Sequence, residues 1–243
     1  MWINITTLFL MAMVGGLLAY RLKLARQRAL PLVLTFAGAY LFAITLVHVL
    51  PELFGITRSP FLMGVLVLAG FYMQQILEYF TQGAEHGHLH PTGADHHHHS
   101  GMALSLMFGL SVHAFLEGTL LGHSVELALA SPWPLLAGIA LHKMPAAFAM
   151  MTVLLCRYKS GPWPLVWLFV FAVASPAGVW FSDTAHLPQQ VAEALFALVS
   201  GSFLHISTTI VFEGSPQHQF SLQRLAVSLL GAMLAVAAQW LLG

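Results

Sequence analysis

The sequence predicts an all-α membrane protein, a bundle of eight transmembrane helices, and three observations lead there. First, the 243-residue chain is 58% hydrophobic and 7% charged, with a mean hydropathy of +0.79, whereas an ordinary soluble domain is about 25% charged. Second, its apolar residues are gathered into runs long enough to cross about 30 Å of hydrocarbon, roughly 20 residues each. Third, lysines and arginines collect in alternate connections, as they do when one side of each crossing faces the cytoplasm.

The runs fall at about 3–20, 31–53, 60–80, 101–122, 133–156, 163–182, 190–212 and 221–242, and together form a single transmembrane domain, 1–243. The first has no basic leader and no clean small-residue cleavage site, so it is expected to be a retained helix. Connections are short, so consecutive helices are expected to pack as antiparallel pairs. Seven of the nine basic residues (Arg21, Lys23, Arg26, Arg28, Arg157, Lys159 and Arg224) fall on one side, which is expected to be cytoplasmic. Arg58 lies opposite, and Lys143 lies within a span. Both termini are then expected to be non-cytoplasmic.

Taken in order, the spans carry polar residues that hydrocarbon does not tolerate cheaply. Span two ends in Thr45, His48 and Glu52, three and four apart on one helical face, with Pro51 breaking the helix. Span three ends in Gln74, Gln75 and Glu78; these read as interfacial caps, with Glu78 equally open to a place at the mouth of a pathway. The loop at 81–100 holds seven of the 14 histidines: His86, His88, His90, His96, His97, His98 and His99. Its Gly, Thr, Pro and Asp residues leave no apolar periodicity, so disorder is expected. Neutral imidazoles suit Zn²⁺, Cu²⁺, Ni²⁺ and Fe²⁺, so the loop reads as a cytoplasmic metal-capture or sensing segment, against the alternative of a polar linker.

Span four carries His113 and Glu117, one above the other on a helix. A carboxylate at mid-membrane costs roughly 2.5–3.5 kcal/mol on insertion scales, so Glu117 needs a partner: a cation, a proton or a metal. Span five carries His142 and Lys143 beside a small-residue stripe of Gly138, Pro145, Ala146 and Ala149, which lets it press against a neighbour. Pro145 removes the amide that would bond the Leu141 carbonyl, freeing it as a transient ligand. Span six contains Ser175-Pro176, read as a kink without chemistry. Span seven carries Ser202, His205, Thr209 and Glu213 along one face. Two imidazoles and a carboxylate on adjacent spans suggest a divalent-metal site at His113, Glu117 and His142, with His48, His205 and Glu213 along the same route. The bland alternative is a set of interhelical hydrogen bonds.

The single cysteine, Cys156, excludes an intrachain disulfide and a thiolate zinc cluster, and reads as a small apolar residue. The formal net charge of zero points to no nucleic-acid partner. The expected partners are the lipid bilayer and a divalent ion, with a homodimer open.

In combination these residues resemble the ZIP family of zinc and iron transporters. That family has eight spans, both ends outside, and a variable, often His-rich loop between spans three and four. Its fourth span carries a His-Asn-x-x-Asp/Glu-Gly pattern, here His113-Ala114-Phe115-Leu116-Glu117-Gly118. Its fifth carries His-Glu-x-Pro-His-Glu or variants, here His142-Lys143-Met144-Pro145-Ala146-Ala147. His48-Val49-Leu50-Pro51-Glu52 is similar to its ending of span two, and Gly201-Ser202-Phe203-Leu204-His205 to its seventh span. The departures are Ala114 for an Asn ligand, Lys143 where many members have an acidic ligand, and Ala146 where a second carboxylate would sit. Some animal members also have His-Lys in span five. The resemblance therefore implies a two-metal site reduced to one, with the Lys143 ammonium in the vacated position.

The resemblance further implies a transporter rather than an enzyme, moving Zn²⁺ first and Fe²⁺ second towards the cytoplasm, with the metal as cargo and no prosthetic group; separately, the expected location is the cell (bacterial inner) membrane. Two alternatives from other classes stand beside it. An intramembrane zinc hydrolase would use the same ligands to activate water, but there is no His-Glu-x-x-His, and Ser111 lies about 200° round the helix from His113. A membrane metal sensor would bind without moving the ion.

Overall fold

A computed structural model describes residues 1–22, 30–81, 99–123, 132–158, 161–185, 187–213 and 221–242. All the regular structure in them is helical. We number eight rods in chain order. They are α1 (Trp2–Leu22), α2 (Leu30–Ile44, continuing through Thr45–Val49 and Leu50–Ile56), α3 (Pro60–Thr81) and α4 (His99–His123). The remaining four are α5 (Trp133–Arg157), α6 (Trp163–Thr184), α7 (Gln189–Thr208, continuing through Thr209–Glu213) and α8 (Leu222–Leu242). Seven are long and apolar enough to cross a membrane, and in α4 the part whose side chains are described, Met107–Gly122, is apolar too. The protein is thus an all-α integral membrane protein, as its composition predicts.

Burial sorts the helices into an inner and an outer set. The apolar windows of α2, α5 and α7 are 67%, 78% and 67% buried, whereas those of α3 and α8 are 17% and 11% buried. The outer helices point large apolar side chains outward, among them Phe61, Tyr79 and Trp240. In water such a surface would be a liability; against lipid tails it is the ordinary state.

The expected pairing of consecutive helices is not what the structure has. The most extensive contacts join α4 to α6, α3 to α7, α1 to α5 and α2 to α8. Each pair is separated by an even number of crossings, so successive crossings bring both members through in the same direction. Short connections constrain where a helix starts, but apolar faces in lipid gain nothing from one neighbour over another. Backbone approach decides instead. A Cβ on Gly118 would run into the Ser175 carbonyl, and one on Gly178 into the Phe115 carbonyl, so α4 and α6 meet backbone to backbone. Gly70 lies against the Leu198 carbonyl and Gly201 against the Val67 carbonyl, locking α3 to α7 in the same way.

Hydroxyl groups finish the α4–α6 seam. Ser175 Oγ donates to the Ala114 carbonyl at 2.6 Å, and Ser182 Oγ donates to the Thr119 carbonyl at 2.7 Å. The Ser175-Pro176 step, read from the sequence only as a kink, thus holds α4 through its hydroxyl, within a helix that continues past Pro176.

Two helices depart from α-geometry. Thr45–Val49 in α2 and Thr209–Glu213 in α7 are π-helical turns, each accommodating a residue more per turn. The first precedes Pro51, which lacks an amide and whose ring would crowd the carbonyl four residues back. Widening the turn relieves that conflict, and His48 lies inside it.

Two substitutions on α3 separate close approach from open surface. Gly70→Ala drives a methyl into the Leu198 backbone, whereas Gly64 has nothing within 4 Å of an added Cβ. In detergent micelles, Gly70→Ala is expected to lower stability by about 1–3 kcal/mol and Gly64→Ala to leave it within ~0.5 kcal/mol. Equal melting temperatures for the two variants would contradict this crossing.

Candidate metal centre

The centre is assembled from four helices. On α4, the four-residue spacing of His113 and Glu117 puts Nε2 of the imidazole 2.9 Å from Oε1 of the carboxylate. From α5, His142 brings a second imidazole, with the two rings nearly perpendicular and their centroids 6.1 Å apart. Among the described residues, these three make the one group of His, Cys, Asp or Glu side chains placed to hold a metal, with one ligand atom from each lying within 4.8 Å of the others. Ligands around tetrahedral zinc stand about 3.4 Å apart, given bonds of roughly 2.0–2.2 Å. The separations in this group bracket that spacing, from 2.9 Å between His113 Nε2 and Glu117 Oε1 to at most 4.8 Å.

All three side chains are buried, Glu117 to 1% exposure. Its second oxygen is taken by Lys143: Nζ donates to Oε2 at 2.7 Å. The same ammonium stands 5.3 Å from the centroid of the Phe171 ring, within reach of its negative face. Lys143 is 1% exposed, so its long stem turns into the bundle and does not snorkel to the interface. Glu117 is thus bracketed by an imidazole on one oxygen and an ammonium on the other. Ala114, where the family pattern has Asn, is fully buried and packs in an apolar cluster with Ala147, Met150, Leu168 and Phe171. Ala146 is buried as well. Neither supplies an oxygen or nitrogen side-chain ligand.

Two further helices support the centre from behind. Ser202 on α7 is 3.1 Å from Nδ1 of His113, and its hydroxyl donates to Oε1 of Gln74 on α3 at 2.8 Å. Gln74 is 1% exposed, so it is no interfacial cap, as the sequence suggested; its neighbour Gln75 is exposed. The cause is the α3–α7 crossing. Gly70 and Gly201 bring the two backbones together, and Gln74, one turn on from Gly70, is carried against Ser202. A turn further along α3, Glu78 Oε2 meets His205 Nε2 at 2.6 Å, and Phe71 packs edge-on against the His205 ring at 4.8 Å between centroids. Spacing was the signal for this ladder: Gln74 and Glu78 are four apart, Ser202 and His205 three apart, so each helix offers one polar row.

Of the remaining sequence candidates, those whose side chains are described are not in the three-ligand group. His48, in the π-helical turn of α2, is buried and sits 3.2 Å from Glu52, so it forms a local pair and is outside the three-ligand group. His205 also stands outside that group, against Glu78. Glu213 closes the π-helical turn of α7, with its side chain outside the described residues. His86, His88, His90, His96, His97 and His98 lie outside the described residues; His99 begins α4, its side chain likewise outside them.

The protein family described as ZIP Zinc transporter matches residues 81–238, well over half of the chain and all of the metal-centre residues on α4, α5 and α7. No curated protein matches the chain.

The buried ion pair generates a stability test. Lys143→Met leaves a buried carboxylate without its cation and is expected to cost about 3–5 kcal/mol. The double change Lys143→Met with Glu117→Leu removes both charges and is expected to recover most of that loss, as replacement of buried pairs by apolar residues does. Chemical unfolding in detergent measures both. A double variant no more stable than Lys143→Met alone would show that the two groups do not act as a pair.

Proposed function

The chain belongs to the ZIP zinc transporter family, and we propose that it carries Zn²⁺ towards the cytoplasm through a one-ion site formed by His113, Glu117 and His142. Transporters move their cargo without making or breaking its bonds, so the family assignment sets aside the hydrolase alternative. The observation that carries the proposal is the buried group of two imidazoles and a carboxylate with ligand atoms within 4.8 Å, built on the part of the chain that matches the family. Nitrogen and oxygen ligands without a thiolate suit Zn²⁺, and Fe²⁺ is the second cargo such donors accept. Three protein ligands leave a position for water or for the Leu141 carbonyl, which Pro145 leaves without its helical amide.

In this reading Lys143 is the reason for a single ion. Its ammonium holds Oε2 of Glu117, where a second cation would otherwise bind, and it offsets the carboxylate's charge. Metal affinity is thereby lowered, which favours release on the far side. Protons compete with the metal for the imidazoles and the carboxylate, so acidification weakens loading. His48 beside Glu52 and His205 beside Glu78 are the further stations we assign to the route, with Glu213 and the histidine-rich loop at 81–100 receiving the ion. The placement of seven of nine basic residues in the loops of one side supports non-cytoplasmic termini and the inward direction.

Zn²⁺ flux into proteoliposomes tests the site. Saturable flux is expected for the wild type and its loss for His113→Ala and Glu117→Gln; near-normal saturation in Glu117→Gln would sink the proposal. Sidedness is tested separately in cells, after Cys156→Ser, with a single cysteine at Ser59, exposed in the connection before α3, or at the exposed Arg157. A membrane-impermeant thiol reagent is expected to label the first and spare the second, and the reverse pattern would invert the orientation.

A further inference from the structure

We infer that Ser202 and Gln74 act as a positioning relay that fixes which nitrogen of His113 faces the metal. The inference deepens the one-ion site proposed above and rests on it. A serine hydroxyl has one proton to donate. In this protein it goes to Gln74 Oε1, at 2.8 Å. The lone pairs of Ser202 Oγ are then what His113 Nδ1 meets at 3.1 Å, so Nδ1 carries the hydrogen and donates it. A neutral imidazole with hydrogen on Nδ1 has its lone pair on Nε2. Nε2 faces Glu117 Oε1 at 2.9 Å, a separation that is favourable only with a proton or a cation between the two atoms. With Nδ1 holding its own hydrogen, Nε2 is the nitrogen left to a metal that replaces that proton, and one ligand atom of His142 lies within 4.8 Å of the others.

The placement suits this task. Ser202 is fully buried and Gln74 is 1% exposed, so neither faces bulk solvent, and each lies on a different helix from the imidazole it serves. The side chain at the far end of the relay is an amide. Its carbonyl oxygen accepts the serine proton without adding a second buried charge beside Glu117 and Lys143. A partner behind a metal-binding histidine sets its tautomer and ring orientation, and loss of such a partner typically costs 10–100-fold in metal affinity. The family patterns quoted for α4 and α5 specify the ligands; this relay comes from Ser202 on α7 and Gln74 on α3, and Gln74 lies outside the matched residues.

The test uses the full-length protein in lipid nanodiscs with Zn²⁺ as the probe. The wild type is expected to bind, and Ser202→Ala and Gln74→Leu each to bind about 10–100-fold more weakly. Because the two groups act in series, the double variant is expected to bind no more weakly than Ser202→Ala alone. In flux measurements the single variants are expected to raise KM while Vmax holds. Nitrogen-15 NMR of the Zn²⁺-loaded, histidine-labelled wild type, with His113 assigned by its absence in His113→Ala, is expected to show the metal on Nε2 and hydrogen on Nδ1. Unchanged affinity in Ser202→Ala, additive losses in the double variant, or metal on Nδ1 would each overturn the relay while leaving the metal site standing. A wild type that binds no Zn²⁺ would instead remove the site itself, and the relay with it.

Discussion

An ionised carboxylate sealed in a bundle that lipid surrounds is the constraint from which the rest of this structure follows. Desolvating such a group costs several kcal/mol even after the protein relaxes around it. Glu117 meets that cost with a partner on each oxygen, His113 from its own helix and Lys143 from the next. Both partners are then constrained in turn. Lys143 must fold its stem inward past Phe171, and His113 must keep its ring turned so that Nε2 faces the carboxylate. A metal ion entering this arrangement competes with an ammonium that is already in place. In the one-ion site proposed above, the same interaction that makes the carboxylate tolerable moderates how tightly it holds cargo.

Holding these groups in register is a task for backbone contact, because apolar side chains in lipid have little preference for one another. The close crossings at Gly118 with Gly178, and at Gly70 with Gly201, supply that register. The first fixes α4, and with it His113 and Glu117, against α6 through two serine hydroxyls as well. The second fixes α3 against α7 and so carries Gln74 to Ser202 and Glu78 to His205. The centre is therefore backed by two helix pairs, with α5 bringing His142 to His113 and Lys143 to Glu117. The π-helical turns in α2 and α7 belong to the same economy of backbone: each re-aims the residues that follow it, and one of them houses His48.

Much of this was legible from residues alone. The number of helices follows from the lengths of apolar runs, since hydrocarbon thickness sets a near-constant requirement. The pairing of His113 with Glu117 follows from helical geometry, because residues four apart share a face whatever surrounds them. The demand for a cation near Glu117 follows from the cost of burying its charge, and the resemblance to a transporter family followed from His113, Glu117 and His142 in their local patterns. The helix partners were not legible. These helices are apolar on most faces, and short loops wrongly suggested consecutive hairpins, whereas the true partners are two or more crossings apart in the chain.

The second layer of the centre divides along the same line. Gln74 looked like an interfacial residue because it stands near the end of an apolar run; its burial depends on α7 lying across α3, which no feature of α3 specifies. Ser202 was visible as a member of a polar row, but a row shows only which face is polar and never what it faces. The sequence by itself determined the class of protein, the number of helices and the His113–Glu117 and His48–Glu52 pairs within one helix, because these depend on local geometry and on the solvent alone. The tertiary structure decided that Lys143 pairs with Glu117, that Ser202 and Gln74 stand behind His113, and that His205 meets Glu78, because those contacts depend on which backbones can touch.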